Sequence, residues 1–199
     1  MNSKNLKVIA AVILSCLIMI VIVISTPKPE PRRSKRRLPS KRIDPEYLRL
    51  ANQALSKTNK ANGAILQKLR SQLANEKKVD FSPLTATNIA AIDALAEADK
   101  SIKLCNEELQ DLNKEEVSPT ILIQANMKLI ASLNEISEIV KALNTEVQHL
   151  KKENTQPLPP AIEKVVDAST KLTNAVEKGT KALDETISAY REYYQLDQL

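Results

Sequence analysis

Residues 118–153 read SPTILIQANMKLIASLNEISEIVKALNTEVQHLKKE. Leu122, Leu129, Ile136, Leu143 and Leu150 recur at every seventh position, and Leu133, Val140 and Val147 interleave at the complementary heptad position. A helix completes a turn in about 3.6 residues, so this repeat draws one apolar seam along a long helix. Asn126 is the one polar member of the seam. Ile130 and Ile139 lie beside it and widen it. A stripe of that width needs more than one partner helix to cover it, which favours a bundle over a two-stranded coiled coil.

Three further segments show the same period. All four segments open at a start signal: Asp44-Pro45-Glu46, Ser82-Pro83, Ser118-Pro119 and the proline run Pro157-Leu158-Pro159-Pro160. A capping side chain followed by proline at the first helical position is a start signal, because proline lacks only an N–H that would have no partner there. The expected helices are 44–76, 82–114, 118–153 and 160–196, and the bundle is residues 44–199. The second helix repeats smaller residues, with Ala91, Ala98 and Cys105 between Leu95, Ile102 and Leu109, so a neighbour can approach closely. The first and fourth are broken mid-run by Gly63, with Thr58 and Asn62 near it, and by Gly179. Each interior glycine costs about 1 kcal/mol relative to alanine, so these two helices are expected to be the weaker pair. The second and third align at an offset of 38, with identical pairs such as Asn106/Asn144 and Leu112/Leu150, which leaves a tandem helical repeat open. Short connections favour antiparallel neighbours. The expected fold is therefore all-α, with a single N-terminal transmembrane helix ahead of an up-down-up-down four-helix bundle packed in coiled-coil fashion. Even parity puts Tyr47 near Tyr190, Tyr193 and Tyr194. These four tyrosines are a candidate interaction patch, or alternatively a cap that closes the core.

Ahead of the bundle, Val8–Ile24 is an unbroken apolar run, VIAAVILSCLIMIVIVI. At about 1.5 Å per residue it is just long enough for a hydrocarbon core about 30 Å thick. A cleavable signal peptide competes with this reading, but the run exceeds a usual signal core of about 7–15 residues. Residues 1–26 read as a membrane anchor and 27–43 as a proline-rich polybasic linker. The linker carries Lys28, Arg32, Arg33, Lys35, Arg36, Arg37, Lys41 and Arg42, a set suited to anionic lipid. The basic flank places the C-terminal domain in the cytosol, N-out and C-in. Residues 1–43 hold ten Lys or Arg and one acidic residue, whereas 44–199 hold nineteen against twenty-three. The helical part is thus mildly acidic, and only 32–42 suits nucleic-acid contact.

Little in the chain points to catalysis. Gly63 and Gly179 are the only glycines, which excludes a P-loop or a dinucleotide-binding turn. His149 is the single histidine, so the lone Glu146-x-x-His149 cannot become a paired di-iron set, and no metal or cofactor is expected. Cys16 and Cys105 make no disulfide framework. The leading expectation is a non-enzymatic, membrane-anchored scaffold or adaptor that meets a protein partner, or itself, through helical faces. An elongated coiled-coil tether is an alternative. Another is a virion or secreted protein whose basic stretch is a sorting or processing signal. Arg33-Ser34-Lys35-Arg36 fits a dibasic cleavage pattern. The apolar run with its Lys/Arg cluster resembles the nuclear-membrane sorting signals of some envelope proteins of large insect DNA viruses.

Overall fold

A computed structural model describes residues 43–75, 82–112, 119–152 and 159–194, with side chains described except at 72–75, 150–152 and 159–161. The chain divides into two compact units, Met1–Arg36 and Arg37–Leu199, and every described residue belongs to the second. That unit consists of α1 (Glu46–Asn75), α2 (Ser82–Leu112), α3 (Thr120–Lys152) and α4 (Pro159–Tyr193), with no strand among the described residues. Expected starts at 44, 118 and 160 differ from these by one or two residues; the expected ends at 114, 153 and 196 lie outside the described residues. So do the apolar run, the linker residues Lys28, Arg32, Arg33, Lys35, Arg36, Arg37, Lys41 and Arg42, and the side chain of Leu150.

Local chemistry explains the first start. The Asp44 carboxylate accepts the Glu46 N–H at 2.9 Å, and the Pro45 carbonyl accepts the Leu48 N–H at 2.9 Å. An N-cap of this kind satisfies a donor the helix cannot, at about 1 kcal/mol. Glu46 also pairs with Arg49 one turn on.

The seam of α3 is the axis of the core. Leu122, Leu129, Leu133, Ile136, Val140, Leu143 and Val147 are all buried, and Ile130 and Ile139 pack half-buried beside them. Each helix packs chiefly on two others, α1 on α2 and α4, and α3 on α2 and α4. The contribution of α2 is mostly small, with Ala91, Ala94, Ala98 and Cys105 buried between Leu95, Ile102 and Leu109. Each fully buried Leu or Ile contributes about 1.5–3 kcal/mol by leaving water.

Gly179 has a packing role as well as a propensity cost. A Cβ there would stand 2.8 Å from Ile136 Cδ1 and 2.9 Å from Leu55 Cδ2, so its bare backbone is where α1, α3 and α4 converge. Gly63 differs, with nothing within 4 Å of its missing Cβ.

Candidate functional site at the start of the first helix

The most constrained polar arrangement lies where the described chain begins. Both backbone polar groups of Ile43 are held by side chains at the end of α4. Its N–H donates to the Tyr194 hydroxyl at 2.9 Å, and its carbonyl accepts from the Tyr190 hydroxyl at 2.6 Å. Tyr190 and Tyr194 are four residues apart, so they leave α4 on one face and grip the same peptide. Ile43 is only 6% exposed, and a buried peptide whose N–H and C=O lacked partners would be costly.

Aromatic packing backs the clamp. Tyr47 meets Tyr190 edge-on at 6.3 Å, Tyr190 lies 4.8 Å from Tyr194, and Tyr193 meets Tyr194 edge-on at 4.7 Å. Such pairs add about 0.5–1.5 kcal/mol beyond their burial. Tyr47, Tyr190 and Tyr194 are buried and Tyr193 is half-buried. The sequence placed these four together, and the structure brings them together as a closure over the core, with only Tyr193 partly open to a partner.

Behind the tyrosines the interior turns polar. The Tyr47 hydroxyl is buried with no hydrogen-bond partner of proper geometry, and the Cys105 thiol beside it is a weak acceptor at best. Cys105 Sγ in turn accepts from Asn126 Nδ2 at 3.7 Å, and the same amide donates to Asn106 Oδ1 at 2.7 Å. Asn126, the polar member of the seam, thus ties α3 to α2. Nearer the other end of these helices, Asn88 Nδ2 donates to Asn144 Oδ1 at 3.4 Å. Between α1 and α4, Asn62 Nδ2 donates to the Ser169 carbonyl and to Thr173 Oγ1, each at 3.0 Å. Thr58 and Asn62, which interrupt the apolar pattern of the first helix, are both buried.

Titration keeps this region uncharged near neutrality. Burial pushes the Tyr194 phenol up to about 12, opposed in part by the Ile43 N–H, and pushes Tyr47 higher still. Burial also raises the Cys105 thiol to about 11. A nucleophilic thiol or phenol needs the opposite shift, so these groups are suited to holding the fold rather than to attack on a substrate. His149 is exposed and lies 4.0 Å from Glu146. No group of three His, Cys, Asp or Glu among the described residues is arranged to hold a metal ion. No described helix is long and apolar enough to cross a membrane.

The sequence pointed to the tyrosine cluster and the seam but missed three features. These are the grip on Ile43, the Asn62 contact with Ser169 and Thr173, and the approach at Gly179. The first involves a backbone, which no side-chain pattern reveals. The second pairs residues 107 and 111 positions apart. No protein-family model, curated protein or solved structure matches the chain.

Proposed function

We propose that the chain is a non-enzymatic, single-pass membrane protein whose basic linker joins the anchor to an up-down-up-down bundle that serves as a scaffold for protein assembly. The observation that carries this reading is the clamp on Ile43. Ile43, the last residue of the polybasic linker, is fastened to the end of α4, so load arriving through the linker passes into two helices at once. A peptide held by two side chains on a helix 147 and 151 residues away suits a junction under tension better than a frayed start would.

The bundle topology is supported by the direction of paired residues. From Asn88–Asn144 to Asn106–Asn126, one number rises as the other falls, as in antiparallel neighbours. The same holds from Lys128–Glu185 to Glu135–Lys178, and from Ile43–Tyr194 to Asn62–Thr173. The apolar run Val8–Ile24 supports the anchor, and the excess of Lys and Arg behind it supports a cytosolic domain.

Protease protection of a C-terminal tag in intact membrane vesicles tests the reading. Digestion from the cytosolic side is the expected result. A tag shielded in the lumen would overturn the cytosolic scaffold and favour the processed or virion-associated alternative, in which Arg33-Ser34-Lys35-Arg36 would be exposed to convertases.

A further inference from the structure

Charge is divided unevenly among the helices. α1 carries five Lys or Arg against Glu46 alone, and residues 47–75 contain no acidic residue. Its neighbour α2 carries two Lys against six Asp or Glu. α3 and α4 are close to balanced.

The positive residues of α1 share a face. At about 100° per residue, Arg49, Lys57, Lys60 and Lys68 fall within an arc of about 100°, with Arg70 about 60° to one side. Gln53, Gln67 and Ser71 lie in the same arc and Ser56 lies about 20° beyond its edge, and all are exposed. Lys57, Lys60 and Arg70 are exposed too, and Lys68 is half-buried. Gly63 sits on this side with open space before it, so no other helix covers the face. The stripe from Lys57 to Arg70 is about 20 Å long.

Lys103, Lys128, Lys141, Lys178 and Lys181 are each within 4 Å of a carboxylate, and Arg49 is paired with Glu46. Lys57, Lys60, Lys68 and Arg70 have no ion pair among the described residues. Lys100, Lys164, Lys171 and Arg191 on α2 and α4 have none there either, but they lie on helices that also carry carboxylates, whereas α1 has no acidic residue after Glu46. Lys57 and Lys60 are one turn apart, a like-charge spacing that costs an isolated helix a few tenths of a kcal/mol. A helix of one sign, edged with amides and hydroxyls, is a surface for phosphate or carboxylate groups spread over an area.

We propose that this face of α1 docks on an anionic lipid surface, so that the bundle lies along the bilayer. The inference rests on the anchor reading above. The anchor is read to end at Thr26 and the described chain begins at Ile43, so the 16 residues between them would reach about 50 Å at about 3.1 Å each. α1 has 30 residues and is about 45 Å long. The lipid surface is therefore always within reach of the tethered helix, at a high effective concentration. Each Lys or Arg near an anionic leaflet contributes about 1 kcal/mol. Nucleic acid fits less well, because the acidic α2 flanks the stripe and repels a polyanion that wraps around it.

Full-length chain in nanodiscs of phosphatidylcholine, with or without phosphatidylserine, tests this by lysine acylation and mass spectrometry. Lys57, Lys60 and Lys68 are expected to react about fivefold more slowly on the anionic discs, with protection lost at high salt. Lys100, Lys103 and Lys141 on α2 and α3 are expected to react equally on both. Chain retained by the discs through an alkaline carbonate wash, with equal acylation on both lipids, overturns this inference and leaves the anchor intact. Chain washed off by carbonate overturns both. Protection by added double-stranded DNA on neutral discs, with none from phosphatidylserine, overturns it in favour of nucleic acid.

Discussion

At the residue scale, the three buried tyrosines look alike but do different work. Tyr190 and Tyr194 satisfy the backbone of Ile43, whereas the Tyr47 hydroxyl satisfies nothing well. Removing a hydroxyl that leaves a buried partner stranded costs about 1–3 kcal/mol, whereas removing one that is itself unpartnered costs little. Y190F, which strands the Ile43 carbonyl, and Y194F, which strands its N–H, are each expected to destabilise the bundle by about 1–2 kcal/mol. Y47F is expected to leave stability unchanged or raise it by up to about 1 kcal/mol. Urea unfolding of the three variants checks the ranking. A Y47F loss as large as that of Y190F would mean the Tyr47 contact with Cys105 is a strong bond after all.

At the element scale, the two glycines mark different constraints that the sequence could not separate. Both interrupt an apolar pattern, and both read as a local weakness. Gly63 faces open space, so G63A is expected to stabilise by about 0.5–1 kcal/mol through helix propensity. At Gly179 the added methyl meets Ile136 Cδ1 and Leu55 Cδ2 inside 3 Å. Those side-chain ends must move, and overpacking of about 1–3 kcal/mol outweighs the propensity gain. G179A is therefore expected to be destabilising, and thermal melts of the two variants side by side decide it. The wider lesson concerns which information is local. The α3 seam was legible because a seven-residue repeat carries its own geometry, and Asp44-Pro45 was legible because a cap is a contact between near neighbours. Thr58 and Asn62 looked like flaws in α1 because the groups that receive the Asn62 amide, the Ser169 carbonyl and Thr173 hydroxyl, are on α4. The clamp was legible only as a gathering of tyrosines, since its other half is a main-chain peptide.

At the scale of the whole molecule, α1 is both the helix joined to the linker and the one least firmly seated. Its packing on α4 is the least extensive of the four helix–helix interfaces. That seam holds Asn62 against Ser169 and Thr173, with the Asn62 Oδ1 and Ser169 Oγ atoms buried and unpartnered. The opposite seam, α3 on α4, is the most extensive and is crossed by two surface ion pairs, Lys128–Glu185 and Glu135–Lys178. Stability in such a bundle is not uniform, and the element with the least extensive packing opens first. Hydrogen exchange of the full chain is therefore expected to show α1 amides between Leu55 and Leu69 exchanging through a partial opening, while amides of α3 between Leu129 and Leu143 exchange only through global unfolding. The Ile43 clamp opposes this opening, because α1 cannot leave α4 until Tyr190 and Tyr194 release the peptide. Y190F should thus speed α1 exchange by more than α3 exchange. Equal protection in all four helices, or equal acceleration by Y190F, would show that α1 is as well seated as the rest and that the clamp acts on the bundle as a whole rather than on one helix.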